Sequence, residues 1–532
     1  MGMSGGAQRY DVIVIGAGHN GLACACYLAR AGLKVLVLEM AGSIGGCVHT
    51  AETIASAPGY RFDTCSVVHN MINMTTVVDE LRLREVGLEY IELDPFISAF
   101  FPDGACVRFY RSIERTCQEL AHSSPEDAET YERFIRLAEP VVELSLEALR
   151  DSEDRRSLLR QWGRRSALTL LALWRSRPLV LGEQLASPYG ALLQALFRTE
   201  YARVGLTALA AHGTLGPHTP GTGFFAFFQY AYHRYGNWHA RGGSGALSQA
   251  LARRLETWGG EVRVSAPVER ILAADRVEGV VLANGERVLA RRIVAAINPQ
   301  TVLLRLLDAG RLPGRLAARL AARHRSNTVQ FVVHAALDRL PPWPNAPADA
   351  WNGMQVVIDS VKQVHENFAQ AEAGVAPTNP GIYLFTSSIL DDQLAPPGKH
   401  TAYIACPSYP ARFADGSTWQ ERGEREAHRL LEVVEGRAPG FKEAIQGLAW
   451  RHAEDWEREI GLLGGHPMHL DITADQVGRL RPLPELGRHR TPIAGLYLSG
   501  AGSFPTGGVS AVPGRSAARA VLADLHKRAP RR

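Results

Sequence analysis

The sequence predicts an α/β fold built around a parallel sheet, and three observations near the N-terminus favour this class. Two short apolar runs, Asp11–Ile15 (DVIVI) and Lys34–Leu38 (KVLVL), are typical of buried parallel strands. A helical pattern from Asn20 to Ala31 lies between them, so the three segments form a βαβ unit. A glycine motif joins the first strand to the helix. Together they predict a Rossmann-like dinucleotide-binding domain.

Length and composition predict a globular protein of more than one unit. The chain has 532 residues, whereas a single hydrophobic core stops growing at roughly 250–300 residues. Hydrophobic residues make up 46% and charged residues 21%, which excludes wholesale disorder. The net charge of +4 is too small to predict binding of nucleic acid. The seven cysteines are irregularly spaced with no Cys-x-x-Cys pair, so neither disulfides nor a metal site is predicted.

The remaining elements follow in chain order from local patterns. Residues 110–210 are predicted to be mainly helical, and residues 213–223 form a loop rich in glycine, proline and threonine. Several β-runs follow between Val262 and Ile297, with Asn284-Gly285 as a hairpin turn. The rest is predicted as mixed strands and turns at 327–410, a helix at 418–438, a strand at Gly495–Leu498 and a helix at Ser510–His526.

The N-terminal motif has the form G-x-G-x-x-G, and each position has a physical role. Gly16 permits a tight turn, Gly18 lets the backbone approach a pyrophosphate, and Gly21 allows the helix to pack close to the strand. The helix start offers free N–H groups to phosphates. Glu39, at the end of the second strand, can accept hydrogen bonds from ribose hydroxyls and disfavours the 2′-phosphate of NADP. The alternative is a glycine-rich turn that binds no ligand.

Two further glycine segments bear on the choice between FAD and NAD. Gly42–Cys47 follows Glu39 directly and would extend the phosphate cradle. Gly495–Ser510 has the pattern of a strand, a glycine loop and a helix start, where a planar ring can lie against the backbone. The positive end of that helix would stabilise a negatively charged reduced flavin. The alternative is an ordinary turn between a strand and a helix.

These segments resemble the FAD-dependent phytoene desaturase and carotene ketolase-like oxidoreductase superfamily, which has the amine-oxidase-type flavoprotein fold. The resemblance covers nearly the whole chain, and HNGL (19–22) with GRSAARAVL (514–522) is most similar to the carotene-ketolase-like and pyridine-nucleotide-disulfide-oxidoreductase-domain-like branch. The segments that carry it are 11–39, 45–50, Pro58–Asp63, 238–271, Leu394–His400, Gly464–Gln476 and 496–522.

The resemblance implies FAD as the cofactor and a set of residues that hold it. Two departures from the family pattern concern this set, because Cys47 replaces a frequent arginine and Ala501 replaces a frequent aspartate. The implied cofactor residues are Gly16, Gly18 and Gly21 for the pyrophosphate, Glu39 for the adenosine ribose, Gly45 and Gly46 beside the ribityl and phosphate groups, Val268 at the adenine, and Gly502, Gly508 and Val509 at the flavin.

The motifs also predict a discontinuous domain organisation. The FAD-binding domain is predicted to consist of residues 9–80, 240–300 and 461–532. An interleaved α+β substrate-binding domain with a helical part is predicted from residues 81–239 and 301–460.

The predicted substrate side is rich in aromatic residues, which would suit a lipophilic small-molecule substrate. The alternative is a packed core segment. No catalytic acid or base is assigned, since each nearby histidine has a structural interpretation as well. The aromatic cluster comprises Phe224, Phe225, Phe227, Phe228, Tyr230, Tyr232, Tyr235 and Trp238, and the histidines are His19, His69, His233, His239, His466 and His469.

The function predicted from these features is desaturation of a polyene- or terpenoid-like substrate by hydride transfer to flavin N5. Such chemistry needs orientation and a dry pocket more than a strong base. No second G-x-G-x-x-G lies in a βαβ context, so oxygen or a quinone is the expected electron acceptor. The alternatives are an isomerase, saturase, ketolase or amine or secondary-metabolite oxidase on the same scaffold, and a prenyl-binding escort-type protein without flavin chemistry.

The expected location is the cytoplasm. The N-terminus has no apolar signal region, and no run approaches the roughly 18–20 apolar residues that span a bilayer. Two basic amphipathic stretches, Arg155–Arg177 and the helix bearing Arg315, Arg319 and Arg323, are compatible with peripheral contact to an anionic membrane or with solvated helix faces.

Overall fold

A computed structural model describes residues 9–150, 178–213, 215–340, 343–344 and 346–526. The basic stretch Arg155–Arg177 lies outside these residues. The described chain is a mixed α/β protein with three larger sheets.

A five-stranded parallel sheet forms the base of the N-terminal motif. Its two central strands are buried on both faces, which explains their continuous apolar runs. Val14 pairs with Val37, and Val294 pairs with Tyr497, so distant parts of the chain meet in one sheet. In spatial order the strands are Glu261–Arg263, Val35–Leu38, Val12–Ile15, Ile293–Ala295 and Leu496–Leu498.

Alternate residues of this sheet pack into two different cores. Val12 and Val14 face the helices, whereas Ile13 and Ile15 face a four-stranded sheet. The predicted hairpin at Asn284-Gly285 is confirmed, because it joins two antiparallel strands of that second sheet. The four strands are Arg9–Tyr10, Arg287–Ala290, Val277–Leu282 and Val268–Ala273.

A seven-stranded sheet dominates the rest of the molecule, and it is antiparallel except where Met354–Val357 pairs with Ile97–Phe100. Neighbouring residues again point to opposite cores: Val332 packs among helices from 125–235, and Val333 packs toward helix Trp419–Glu435. The strands in order are Ile445–Arg451, Thr328–Leu337, His400–Pro410, Ile382–Phe385, Met354–Val357, Ile97–Phe100 and Cys106–Phe109. Two short pairs complete the described strands: Thr50–Ala51 with Phe62–Asp63, and Tyr90–Glu92 with Trp238–Ala240.

The helices cover the sheets, and the predicted helix at 418–438 is observed at Trp419–Glu435. The described α-helices are His19–Arg30, Asn70–Asn73, Val77–Glu80, Ile113–Ala121, Pro125–Arg150, Pro178–Ala186, Tyr189–Leu196, Glu200–Ala210, Gly223–Phe227, Gln229–Tyr235, Gly245–Thr257, Pro299–Leu304, Gly314–Ala321, Val361–Glu372, Trp419–Glu435, Ala453–Ile460 and Val512–His526. Short 3-10 turns lie at Leu83–Val86, Ala211–Gly213, Ala348–Trp351, Ser387–Ile389, Lys442–Ala444, Leu463–Gly465, Ala474–Gln476 and Gly478–Leu480.

The prediction of only strands and turns at 327–410 was wrong in one respect, because helix Val361–Glu372 lies within that range. The Ser360 side chain accepts a hydrogen bond from the Gln363 N–H at the start of this helix. The strong β-runs on both sides of Val361–Glu372 dominated the sequence pattern, so the amphipathic pattern of this helix was not recognised.

Two helices that start at the predicted site pack directly on each other. Helix His19–Arg30 meets helix Val512–His526 at Gly514, where an added Cβ would lie 2.1 Å from the carbonyl oxygen of Asn20. This close contact places the two helix starts side by side. All three stretches predicted for the FAD-binding domain supply strands to the five-stranded sheet, while the division into domains stays a prediction.

The structure also bears on the basic helix Gly314–Ala321. The prediction that this helix also bears Arg323 was wrong, because the helix ends at Ala321. Arg319 forms an ion pair with Glu485, and Arg323, just beyond the helix, lies 2.8 Å from Asp475, which agrees with solvated side chains. None of the helices in the described ranges is both long enough and apolar enough to cross a membrane.

Candidate functional site

Two glycines of the N-terminal motif are required by the protein itself. Gly16 has a φ of +99°, in the region that favours glycine, and an added Cβ would lie 2.8 Å from Cγ2 of Ile297. A Cβ on Gly21 would lie 2.0 Å from the carbonyl oxygen of Gly16. These residues bring the start of helix His19–Arg30 against the end of strand Val12–Ile15.

Gly18 is different, because neither its conformation nor its packing requires glycine. Its φ is −67°, and a Cβ added there would meet no protein atom closer than the Gly45 carbonyl oxygen at 3.9 Å. Gly18 precedes a helix whose first N–H groups have no side-chain cap. The open space above these donors fits the close approach of a pyrophosphate.

The second glycine turn lies on the first. The Gly45 N–H donates to the Ala17 carbonyl oxygen at 2.9 Å, and Gly45 forms a parallel bridge with Gly18. Gly45 and Gly46 have φ values of +119° and +57°, and a Cβ on Gly46 would meet only the Cα of Gly18, at 3.7 Å. The two turns therefore form one glycine cradle, defined here by Gly16, Gly18, Gly45 and Gly46.

Glu39 lies at the edge of the cradle and is 6% exposed. Its carboxylate accepts the N–H of Ala17 at 2.7 Å and that of Ala41 at 2.9 Å. Burial nevertheless raises the pKa of Glu39. The remaining lone pairs of its oxygens can accept ribose hydroxyls. The Glu39 carbonyl accepts the N–H of Ala266 at 2.8 Å, which brings Val268, at the start of the next strand, close to the same edge.

The C-terminal glycine loop meets the start of helix His19–Arg30. The Nε2–H of His19 donates to the Gly508 carbonyl at 3.3 Å, and the Gly502 N–H donates to Nδ1 of His469 at 3.3 Å. Val509 packs against the same core as that helix. The structure therefore brings Gly508 and Val509 close to the first glycine motif. Gly502 instead contacts His469 through its backbone N–H.

One residue of this region was not found by sequence reasoning. Arg481 is fully buried, and its guanidinium donates only to backbone carbonyls. It thereby joins the loop at 464–476 to Ala501, one of the two departures from the family pattern. The five accepting carbonyls are those of Ala501 at 2.8 Å, Asp471 at 2.9 Å, Gln476 at 2.7 Å, Met468 at 2.5 Å and Leu470 at 3.0 Å.

A second missed feature is a buried polar network centred on Asp63. Its carboxylate accepts the Thr50 hydroxyl and the Ser244 N–H, both at 2.6 Å. Burial raises the pKa of Asp63 to about 6. The Ser244 hydroxyl is 2.8 Å from Nε2 of His69. Sequence reasoning noted the FD pair but had no signal that it would meet residue 244.

Three of the predicted histidines are held neutral, and two of them contact the C-terminal loop, His19 at Gly508 and His469 at Gly502. Burial lowers the pKa of His19 to about 4, and it lowers the pKa of both His69 and His469 to about 3. A positive charge on His19 would lower the pKa of the other two further. None of the three is therefore ionised at neutral pH.

The other predicted histidines have structural partners. His233 lies 2.7 Å from the Tyr131 hydroxyl, His466 lies 3.1 Å from Asp471, and His239 lies 3.0 Å from Asp391. The pKa of His239 is raised because hydrogen bonding and charge from Asp391, with the charge of Asp63, outweigh the opposing effect of burial.

The aromatic cluster belongs largely to the core of the helical part. Phe227, Tyr230 and Tyr232 are buried, and the Phe227 ring stacks on Phe134 with 4.9 Å between ring centroids. The packed-core interpretation therefore holds for these three residues. Phe224 and Phe228 are only partly buried and pack at the margin of the same core.

Comparisons with known proteins bear on the family and the fold of the chain. Residues 21–415 match the family described as "Flavin containing amine oxidoreductase". The chain is 31% identical to "Pyridine nucleotide-disulfide oxidoreductase domain-containing protein 2" from Mus musculus, over 97% of this chain and 94% of that protein. It is 25% identical to "4,4'-diapolycopen-4-al dehydrogenase" from Metabacillus indicus, over 94% of each.

A solved structure shows the same fold. An oxidoreductase from Methanosarcina mazei superposes with a TM-score of 0.63 at 16% identity, over 97% of this chain and all of the other. The predicted fold class, resemblance and FAD cofactor are confirmed, and the open cradle at Gly18 fits that cofactor. The chain belongs to the flavin containing amine oxidoreductase family and is an FAD-dependent oxidoreductase.

Proposed function

We propose that this oxidoreductase dehydrogenates a lipophilic polyene- or terpenoid-like substrate. A hydride leaves a C–H bond next to an existing double bond, and a proton leaves the neighbouring carbon, so one new C=C bond forms. Bound FAD supplies the hydride acceptor, at N5 of its flavin. The existing double bond is needed because it delocalises the positive charge that develops on the carbon losing hydride.

The observation that carries this proposal is the set of three neutral histidines, His19, His69 and His469, of which His19 and His469 contact the C-terminal glycine loop. Burial holds the pKa of each below its usual range, so none carries a charge at neutral pH. Uncharged surroundings favour a substrate without an ionised group. The chain's own contribution is then orientation more than acid–base catalysis.

Two further observations support the substrate class. The partly buried rings of Phe224 and Phe228 lie at the margin of the helical core, where an apolar chain could contact them. The relative from Metabacillus indicus is described as a dehydrogenase of 4,4'-diapolycopen-4-al and aligns over nearly the whole chain. Oxygen or a quinone as electron acceptor, and a cytoplasmic location with or without peripheral membrane contact, complete the proposal.

The proposal is tested by anaerobic titration of the FAD-loaded protein with polyenes, monocyclic terpenes and primary amines. A substrate of the proposed class should bleach the visible absorbance of oxidised flavin, and the product should have lost two hydrogen atoms. Bleaching by amines alone would overturn the proposed substrate class while leaving the oxidoreductase assignment intact.

The same titration distinguishes a redox-neutral isomerase or a saturase. Either activity would require reduced flavin, so product would appear only after addition of dithionite or NADPH. A polyene converted under those conditions, with no bleaching of the oxidised protein, would contradict dehydrogenation.

A further inference from the structure

A small pocket of about 100 Å³ lies beside the second turn of the glycine cradle. Its lining combines residues of the loop that follows Glu39 with Arg451 and residues of helix Ala453–Ile460. The lining includes Ser43, Gly46, His49, Arg451, Trp456 and Glu459.

The pocket contains a cation that the glycine segment itself lacks. The resemblance implies that an arginine is frequent at position 47, where this chain has Cys47. Arg451 ends a strand of the seven-stranded sheet and lines the same pocket as Gly46. Its side chain is 22% exposed and forms an ion pair with Glu459, which is 41% exposed.

The charge of Arg451 also reaches across the pocket. Burial lowers the pKa of His49, and the positive charge of Arg451 lowers it further. The charge of the guanidinium therefore acts on His49, which lines the same pocket as Gly46.

A second donor in the pocket lacks an acceptor. Trp456 is 3% exposed, and its Nε1–H has no hydrogen-bond partner within the part of the chain that the structure describes. An indole N–H can only donate, and a buried donor without an acceptor costs free energy. An oxygen-rich, anionic group would satisfy both Trp456 and Arg451.

We propose that Arg451 binds phosphate oxygens of FAD and so replaces the cation missing at position 47. Guanidinium groups recognise phosphate through charge-assisted hydrogen bonds. The proposal concerns the cofactor site alone and does not depend on the identity of the substrate.

The test compares how tightly the FAD-loaded variants retain their cofactor. FAD dissociation constants are measured from the fluorescence of FAD released on dilution, at low and high salt. Arg451→Gln should raise the constant about tenfold, the loss expected for one charge-assisted hydrogen bond. The salt dependence of FAD release should also decrease in this variant, because one screened contact has been removed.

Two matched variants make the test specific. Glu459→Gln removes the competing carboxylate, so it should leave FAD binding unchanged or tighter, although it breaks the same ion pair. Arg458→Gln removes an equal charge from a 63% exposed side chain that lies on helix Ala453–Ile460 but does not line the pocket. It should leave the FAD dissociation constant unchanged. If Arg451→Gln and Glu459→Gln weaken FAD binding equally, the ion pair has only a structural role and the proposal is wrong. The proposal is also wrong if Arg451→Gln and Arg458→Gln have the same FAD dissociation constant.

Discussion

At the scale of single residues, the glycines of one motif are needed for different reasons. Gly16 adopts a left-handed conformation, and Gly21 has no room for a Cβ beside a backbone carbonyl. Gly18 has an ordinary conformation and open space around it. The motif assigns these roles by position, and the structure adds the conformation and clearance behind each, which depend on neighbours such as Ile297 and Gly45.

This difference predicts opposite outcomes for two alanine substitutions. Gly18→Ala should change the free energy of unfolding by less than about 1 kcal/mol and raise the FAD dissociation constant at least about tenfold, because its Cβ enters the space for the pyrophosphate. Gly21→Ala should lower the free energy of unfolding by about 3 kcal/mol or more, because its Cβ would lie far inside contact distance of a carbonyl.

Chemical denaturation and FAD fluorescence measure the two quantities. Unchanged FAD affinity in a fully folded Gly18→Ala protein would contradict the proposed position of the pyrophosphate.

At the scale of elements, Asp63 connects three parts of the chain. It ends strand Phe62–Asp63, accepts the hydroxyl of Thr50 in the paired strand, and accepts the N–H of Ser244 just before helix Gly245–Thr257. A buried carboxylate at this point stabilises the start of the helix through its positive end. Sequence patterns do not predict the contact, because the two residues are 181 positions apart.

The raised pKa of Asp63 predicts a pH dependence of stability. Its pKa is about 6 in the folded protein, against an ordinary value of 3.8, because burial disfavours the charged form. The folded state thus binds the proton more tightly than the unfolded state. The resulting stabilisation is fully present below pH 3.8 and is lost as the pH rises through 6.

Asp63→Asn removes this titration while keeping an oxygen that can accept both hydrogen bonds. Relative to Asp63→Asn, the unmodified protein should lose about 3 kcal/mol of unfolding free energy across that interval. Denaturation curves from about pH 4 to about pH 8 measure the difference. Asp392→Asn, at a 90% exposed side chain, is the control and should follow the unmodified protein. If the unfolding free energies of the unmodified protein and Asp63→Asn change in parallel with pH, the raised pKa of Asp63 is refuted.

At the scale of the whole molecule, the central sheet collects strands from distant parts of the chain. Strand Val12–Ile15 is hydrogen-bonded to Ile293–Ala295, which in turn is bonded to Leu496–Leu498. The seven-stranded sheet draws on the intervening stretches. This arrangement is what a discontinuous FAD-binding domain at 9–80, 240–300 and 461–532 would require.

The domain division predicts where FAD protects the backbone. Comparison of FAD-loaded and FAD-depleted protein by hydrogen exchange should show slower exchange with FAD in all three of those stretches, because each contributes backbone to one cofactor domain. Strands of the seven-stranded sheet far from the cradle, such as Cys106–Phe109, serve as the internal control and should change little. Protection limited to residues 9–80 would contradict the division.

Much of the fold was predictable because its signals are local. The run VIVI in strand Val12–Ile15 and the hairpin at Asn284-Gly285 depend on residues within a few positions of each other. Helix Val361–Glu372 was missed since flanking β-runs dominated its pattern. Arg481, Asp63 and Arg451 were not recognised, because a single charged residue gives no periodic signal. Neither the burial of Arg481 and Asp63 nor the pocket beside Arg451 can be predicted from neighbouring residues.

By itself the sequence determined the class of fold, the order of the main N-terminal and C-terminal elements, and a site for a dinucleotide, since apolar period and glycine spacing are set by neighbouring residues. The choice of FAD came from the resemblance to a known family. Only the tertiary structure decided that Gly18 faces open space, that Arg481 joins two loops through five carbonyls, and that Arg451 shares a pocket with Gly46. Clearance, burial and charge are properties of surroundings assembled from distant segments, and they exist only once the chain has packed.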